Sequence, residues 1–227
     1  MGYPLALQAG RGLPASAMGC YVSRAVVHSI VPLAVLEAVR NLDTPVEDGL
    51  HEFADHLLVK RLGLSGTVRI QLEQYEALAR RDGRVDAGHV EALLRLVGRR
   101  PDAELVFAEA GRRAARRAAA ALWLPSRAAA RAAPRALGMA AARRAARRVL
   151  GGDLGREAQL PVARVADPLA VRATPDGSAC GFYGAAFTEL LRLLAGYEGA
   201  LLHTNCRARG AHRCEWRAAT PDRRQHR

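Results

Sequence analysis

The sequence predicts an α+β fold: an N-terminal helical block, followed by a small antiparallel sheet with a strand–helix–hairpin C-terminal part. Three observations carry that expectation. From Arg24 to Arg148, apolar residues recur at helical spacing, with Ala and Arg supplying much of the remainder. After Gly151-Gly152-Asp153 the texture changes to short alternating runs with β-branched residues. Half of the 227 residues are apolar but only 5% are aromatic, a balance that argues against an aromatic-rich all-β fold.

Residues 1–20 read as a disordered lead-in. Their short apolar patch has no basic residue before Arg11, which makes a poor signal peptide. SAMGC resembles a lipoprotein cleavage site but lacks a leucine-like residue three before Cys20, so Cys20 reads as an ordinary small residue. RAVVHSIVPLAVLEAVRN, from Arg24 to Asn41, predicts helix with a kink or break at Pro32. PVEDGLHEFADHLLVKRLGL follows, with Pro45 in a tolerated first-turn position and Leu50, Phe53, Leu57 and Leu58 on one face. TVRIQLEQYEALARR begins with strand-like alternation and drifts to helix, so its state is ambiguous.

DAGHVEALLRLVG predicts a helix capped by Asp86 and stopped at Gly98. PDAELVFAEAGRRAARRAAAALW predicts a long helix ending near Pro125, and the next Ala/Arg-rich stretch continues helical with a bend at Pro134. QLPVARVADPLAVRAT suggests two short strands broken by Pro161 and Pro168. GFYGAAFTELLRLLAG is an amphipathic helix, and GALLHTNCRARG with HRCEWRAA reads as a hairpin turning near Gly210. The organisation is one domain over 21–218, helical over 21–150 and α+β over 156–218, with a polar tail at 219–227.

No apolar run approaches the roughly 20 residues needed to cross a bilayer, so the chain reads as cytoplasmic, at most peripheral to a membrane. From Arg112 to Arg148 there are 11 arginines and no acid, which accounts for all but one unit of the net charge of +12. The basic character therefore belongs to one segment. Solvated faces of Ala/Arg helices are the plain reading, and an anionic membrane surface or another acidic partner is the alternative. Specific nucleic-acid binding is disfavoured, because only Trp123 interrupts the segment with an aromatic ring.

Three of the four cysteines fall within 35 residues, in the pattern C-x22-H-x2-C-x7-C formed by Cys180, His203, Cys206 and Cys214. Zinc takes thiolate and imidazole ligands in tetrahedral fours, and Cys3His is a common closed structural set. His203 and Cys206 end one hairpin arm, Cys214 lies on the returning arm, and Cys180 starts a helix whose dipole favours a thiolate. A disulfide or three independent buried cysteines are the other readings, the former disfavoured without a secretion signal. Four protein ligands leave no open position, which argues against a catalytic metal.

The run C-G-F-Y-x-A-A-F-x-x-L-L-R-L-L, then H-x-x-C-x-A-x-G-x-x-x-C-x-W, resembles the 4-vinyl reductase domain, a small-molecule-binding module related to nitric-oxide-signalling and Golgi-transport folds. That family has Cys, then E-x-x-C-x-A-x-G and a last Cys, which bind zinc in phenol-sensing members. The resemblance implies Cys180, Cys206 and Cys214 as ligands, with His203 in place of glutamate. FAEAGRRAARRAAA, the Ala/Arg stretch after Trp123, and DPL make the region from Val85 to Ala218 most similar to the bacteriochlorophyll 4-vinyl reductase group of photosynthetic bacteria. This implies a place in bacteriochlorophyll synthesis alongside pigment-synthesis enzymes.

No G-x-G-x-x-G is present, so no NAD or flavin site is evident, and neither a cluster motif nor a nucleophile–base pair stands out. A ligand-binding or carrier protein is therefore favoured over a vinyl reductase working with an external donor; a ligand sensor or a scaffold dimerising through its long helices stays open. Phe182, Tyr183, Phe187 and Leu201 are the candidate pocket residues, or plain core. A magnesium tetrapyrrole would seek an axial imidazole from His28, His51, His56 or His89, and its propionates could meet the arginine segment.

Overall fold

The computed structural model describes residues 25–44, 65–122 and 135–219. The helix expected around Leu50 to Leu58, the helix end near Pro125, the bend at Pro134, the lead-in, and His51 and His56 lie outside them. The fold is α+β, with helices dominating the N-terminal part and strands the C-terminal part.

Strand β1 (Val26–His28) pairs antiparallel with β2 (Arg84–Asp86), a ribbon that the helical periodicity of Arg24 to Asn41 concealed. Helix α1 (Ile30–Asp43) starts only after it, so Pro32 occupies the first turn, where its missing N–H costs nothing and no break results. TVRIQLEQYEALARR resolves as helix, α2 (Gly66–Arg80), whose Val68 and Leu72 meet Leu33 and Leu36 of α1 in a satellite cluster. Helix α3 (Ala87–Val97) has the cap read from the sequence: the Asp86 carboxylate accepts from Gly88 N at 2.8 Å.

Helix α4 (Ala103–Ala120) is the central rod. Its face of Val106, Phe107, Ala110, Ala114 and Ala118 is buried between α1 and α7 (Cys180–Leu190). Alanines let backbones approach, and one position needs less than alanine. A Cβ on Gly111 would stand 2.2 Å from the Phe182 carbonyl oxygen. Helix α5 (Arg135–Ala145) ends in a π turn, Ala146–Leu150, and α7 ends likewise in Leu191–Ala195; left-handed Gly151 and Gly196 terminate them.

The main sheet has the order β3-β4-β6-β5, with all neighbours antiparallel. Its strands are β3 (Asp153–Glu157), β4 (Leu160–Val165), β5 (Leu201–Asn205) and β6 (Cys214–Ala218). Strand β3 begins ahead of the expected boundary at 156. DPLAVRAT, expected as a second strand, is instead the short helix α6 (Leu169–Ala173), with Pro168 as its N-cap residue. Pro161 stays within β4 because pairing with β6 starts only at Val162, so no ladder donor is missed there.

Among the described residues, several arginines of the basic segment are drawn into the fold. Arg117 pairs with Glu37 of α1, Arg116 with Glu189 of α7 at 3.1 Å, and Arg143 and Arg147 with Asp153, each at 2.7 Å. These bridges tie α4 and α5 to their neighbours. No helix among the described residues is long and apolar enough to cross a membrane.

Candidate metal centre

Four side chains from one helix and one hairpin converge. Cys180 is the first residue of α7; His203 lies on β5, Cys206 just beyond it, and Cys214 at the start of β6. One donor atom from each lies within 4.8 Å of all the others. The Cys180 and Cys214 sulfurs are 4.0 Å apart, far beyond a disulfide bond of about 2.05 Å. For bonds of roughly 2.3 Å, a tetrahedral site has sulfur–sulfur edges of about 3.8 Å. The group could therefore hold a metal ion after small adjustments.

Local sequence explains the convergence. Gly177 precedes α7 at φ +77, a left-handed conformation that glycine alone adopts freely, and a Cβ there would press within 3.1 Å of the Cys206 sulfur. The turn is fastened by Asp176, which accepts from Ser178 N, and by Thr174 Oγ1, which accepts from Ala179 N. On the hairpin side, the register slips between His203 and Asn205, a bulge that redirects the chain before Cys206. A 3₁₀ turn, Arg207–Arg209, closes at left-handed Gly210, and Arg207 N donates to the Cys214 sulfur at 3.3 Å. That N–H stabilises a thiolate.

His203 sits at the exposed edge, its ring stacked on Trp216 at 4.5 Å between centroids and 10° between planes. The three cysteines are buried. Burial and the neighbouring thiols push Cys180 well above the usual thiol range, so the dipole benefit expected at a helix start is outweighed. Burial also raises Cys214, against the help of Arg207 N. His203 is held below the ordinary imidazole value by burial and then by Arg209. Cys180, Cys214 and His203 thus favour their neutral forms on their own, and a cation must displace thiol protons to bind.

Beside the cluster, between α7 and β5, runs a cleft of ≈ 410 Å³. Cys180, His203, Leu201 and Trp216 line it, and α7 offers the small face of Gly181, Gly184 and Ala185. Arg112 and Glu189 also border it. Of the four residues expected in a pocket, Leu201 is here. Phe182 and Phe187 are core residues, and Tyr183 borders a different cavity against α1. Both nitrogens of His28 are engaged, Nε2 with Asp82 at 2.7 Å and Nδ1 with Ile30 N at 3.1 Å, while His89 is on the exposed side of α3.

Sequence reading missed Trp216 and the glycine face. Alternation within β6 places Trp216 on the same side as Cys214, which was a usable signal; its register against His203 was not. Comparison with models of protein families, with curated proteins and with solved structures gives no match to this chain. The class that fold and site define is an α+β protein with a Cys3His group suited to a metal ion.

Proposed function

We propose that the Cys3His group is a structural zinc site, and that the protein binds or carries a hydrophobic small molecule in the cleft beside it. The observation that carries the reading is the convergence of four soft and borderline donors on one point at the head of that cleft. Thiolate and imidazole favour zinc over hard cations, and four protein donors close the coordination sphere. Zinc so held would pin the start of α7 to the β5–β6 hairpin, fixing both walls of the cleft.

The guest is proposed to be a tetrapyrrole intermediate of bacteriochlorophyll synthesis, the role implied by resemblance to the 4-vinyl reductase group. A helix face of Gly181, Gly184 and Ala185 opposite Leu201 and Trp216 suits a flat ring, and Arg112 at the border suits an acidic substituent.

Elemental analysis of the purified chain and of Cys206→Ser tests the metal: stoichiometric zinc in the first and its loss in the second is expected. A folded wild type without zinc overturns the site. The guest is tested by titrating the zinc-loaded protein with a magnesium porphyrin, following tryptophan emission, then adding NADPH and a divinyl substrate. Quenching without turnover is the expected result. Unaided turnover would make the protein a reductase, and absence of quenching removes the tetrapyrrole.

A further inference from the structure

A second cavity of ≈ 170 Å³ shares no lining residue with the cleft beside the Cys3His group. It is bounded by the β1–β2 ribbon, the start of α1, the π turn after α5 and helix α6. We propose that it is a binding site for a small amphiphilic carboxylate, a short aliphatic or aromatic acid, with guanidinium groups taking the carboxylate and an aliphatic floor taking the body.

The two halves of the site are chemically distinct. Val31, Ala87, Val149, Leu150, Leu169 and the Tyr183 ring give an apolar floor, each of them buried. Four arginines, Arg84, Arg147, Arg148 and Arg172, meet the same cavity against a single carboxylate, Asp167. Three of these arginines are ion-paired, one of them with the cavity's own carboxylate. Arg147 donates Nε to Asp153, Arg148 is bonded to Asp82, and Arg172 reaches Glu91 and Asp167. A guanidinium has five donors, so each keeps N–H groups to spare. Arg84 makes no ion pair among the described residues, although it stands at the rim across from His28. An uncompensated arginine above a greasy floor is what an acid with an apolar tail requires.

One helix end supplies residues to both halves. The π turn Ala146–Leu150 stops at left-handed Gly151, so this helix end abuts the cavity, and Arg147, Arg148, Val149, Leu150 and Gly151 all line it. His28 adds rigidity rather than charge. Its two nitrogens are spent on Asp82 and on Ile30 N, which fixes the ribbon over the start of α1.

The site is tested by calorimetric titration of the full chain with phenylacetate, hexanoate and benzoate, with 2-phenylethanol and inorganic phosphate as controls. At least one acid is expected to give saturable binding, with the neutral alcohol and the phosphate at least tenfold weaker. Arg84→Glu, at an exposed and unpaired position, should weaken the acid at least tenfold without changing the circular dichroism spectrum. Val31→Phe, which fills the floor, should weaken it as well. The proposal is overturned if none of the acids binds, if acid and alcohol bind equally, or if folded Arg84→Glu binds as the wild type does.

Discussion

Replacing Gly111 by alanine should drive α4 away from α7. The added Cβ would lie 2.2 Å from the Phe182 carbonyl oxygen and 3.0 Å from both Ala185 Cβ and Ala186 N, whereas ordinary contacts begin near 3.4 Å. The helices must part by about 1 Å, a gap that forfeits a quarter to a half of the dispersion attraction along the seam. Overpacking of this kind costs about 1–3 kcal/mol, and the obstacle here is backbone, so the upper end applies. Against that, alanine gains about 1 kcal/mol of helix propensity over glycine. The net loss of about 2 kcal/mol corresponds to a fall in Tm of roughly 4–8 °C for a chain of this size. Gly181→Ala is the control, because its Cβ meets nothing within 4 Å, and it should be neutral or mildly stabilising. Thermal unfolding followed by circular dichroism compares them. Because α7 carries Cys180, Gly111→Ala should also weaken metal retention by roughly tenfold or more in competition with a chelator, as lost ligand support does. A Gly111→Ala protein as stable as the control would refute the backbone-contact account of the seam.

Trp216→Ala removes both a core filler and the plane on which His203 rests; it should cost about 3–5 kcal/mol in urea unfolding, and metal affinity should drop roughly 10–100-fold. Trp216→Phe keeps a ring and should lose less of both. The β3–β4 turn places Ala158 and Gln159 at φ +47 and +68, a two-residue hairpin conformation suited to glycine. Gln159→Gly should therefore stabilise the protein by about 1 kcal/mol, read from the denaturation midpoint. His28 is held below the usual imidazole value chiefly by burial, with its bond to Asp82 opposing. The unfolded chain thus takes up a proton near pH 6.5 that the native state refuses, and stability falls as pH drops through that value. In His28→Gln the slope of stability against pH between about 7.5 and 5.5 should be shallower; an unchanged slope would show that His28 titrates normally.

The parts legible in the sequence were those with local causes. Asp86 capped its helix as read, because an N-cap needs only a side-chain oxygen and the next N–H groups. The convergence of the Cys3His group was legible because three scarce cysteines and a histidine sat at ligand spacing, and the Gly210 turn because a hairpin between apolar arms needs one. The misses share a different cause. Val26–His28 is a strand only because Arg84–Asp86, more than fifty residues on, lies beside it. Asp153–Glu157 has little intrinsic strand preference and owes its state to pairing with β4. DPLAVRAT carries β-branched residues yet is helical, since Leu169, Ala170 and Ala173 must turn a common face inward. Phe182 and Phe187 were candidates for a pocket, but on a helix packed on both sides the large rings fill the core and the glycines face the cleft.

The sheet order leaves a temporal mark. Because β6 lies between β4 and β5, the flank of β4 stays bare, and β5 has nothing to pair with, until residue 218 has left the ribosome. Three of the four residues of the Cys3His group belong to that same late hairpin, so a nascent chain carries only Cys180 of the group while the helices are already made. Synthesis must run past the sheet's central rung before that group can assemble, and until then the open flank is what chaperones would need to shield.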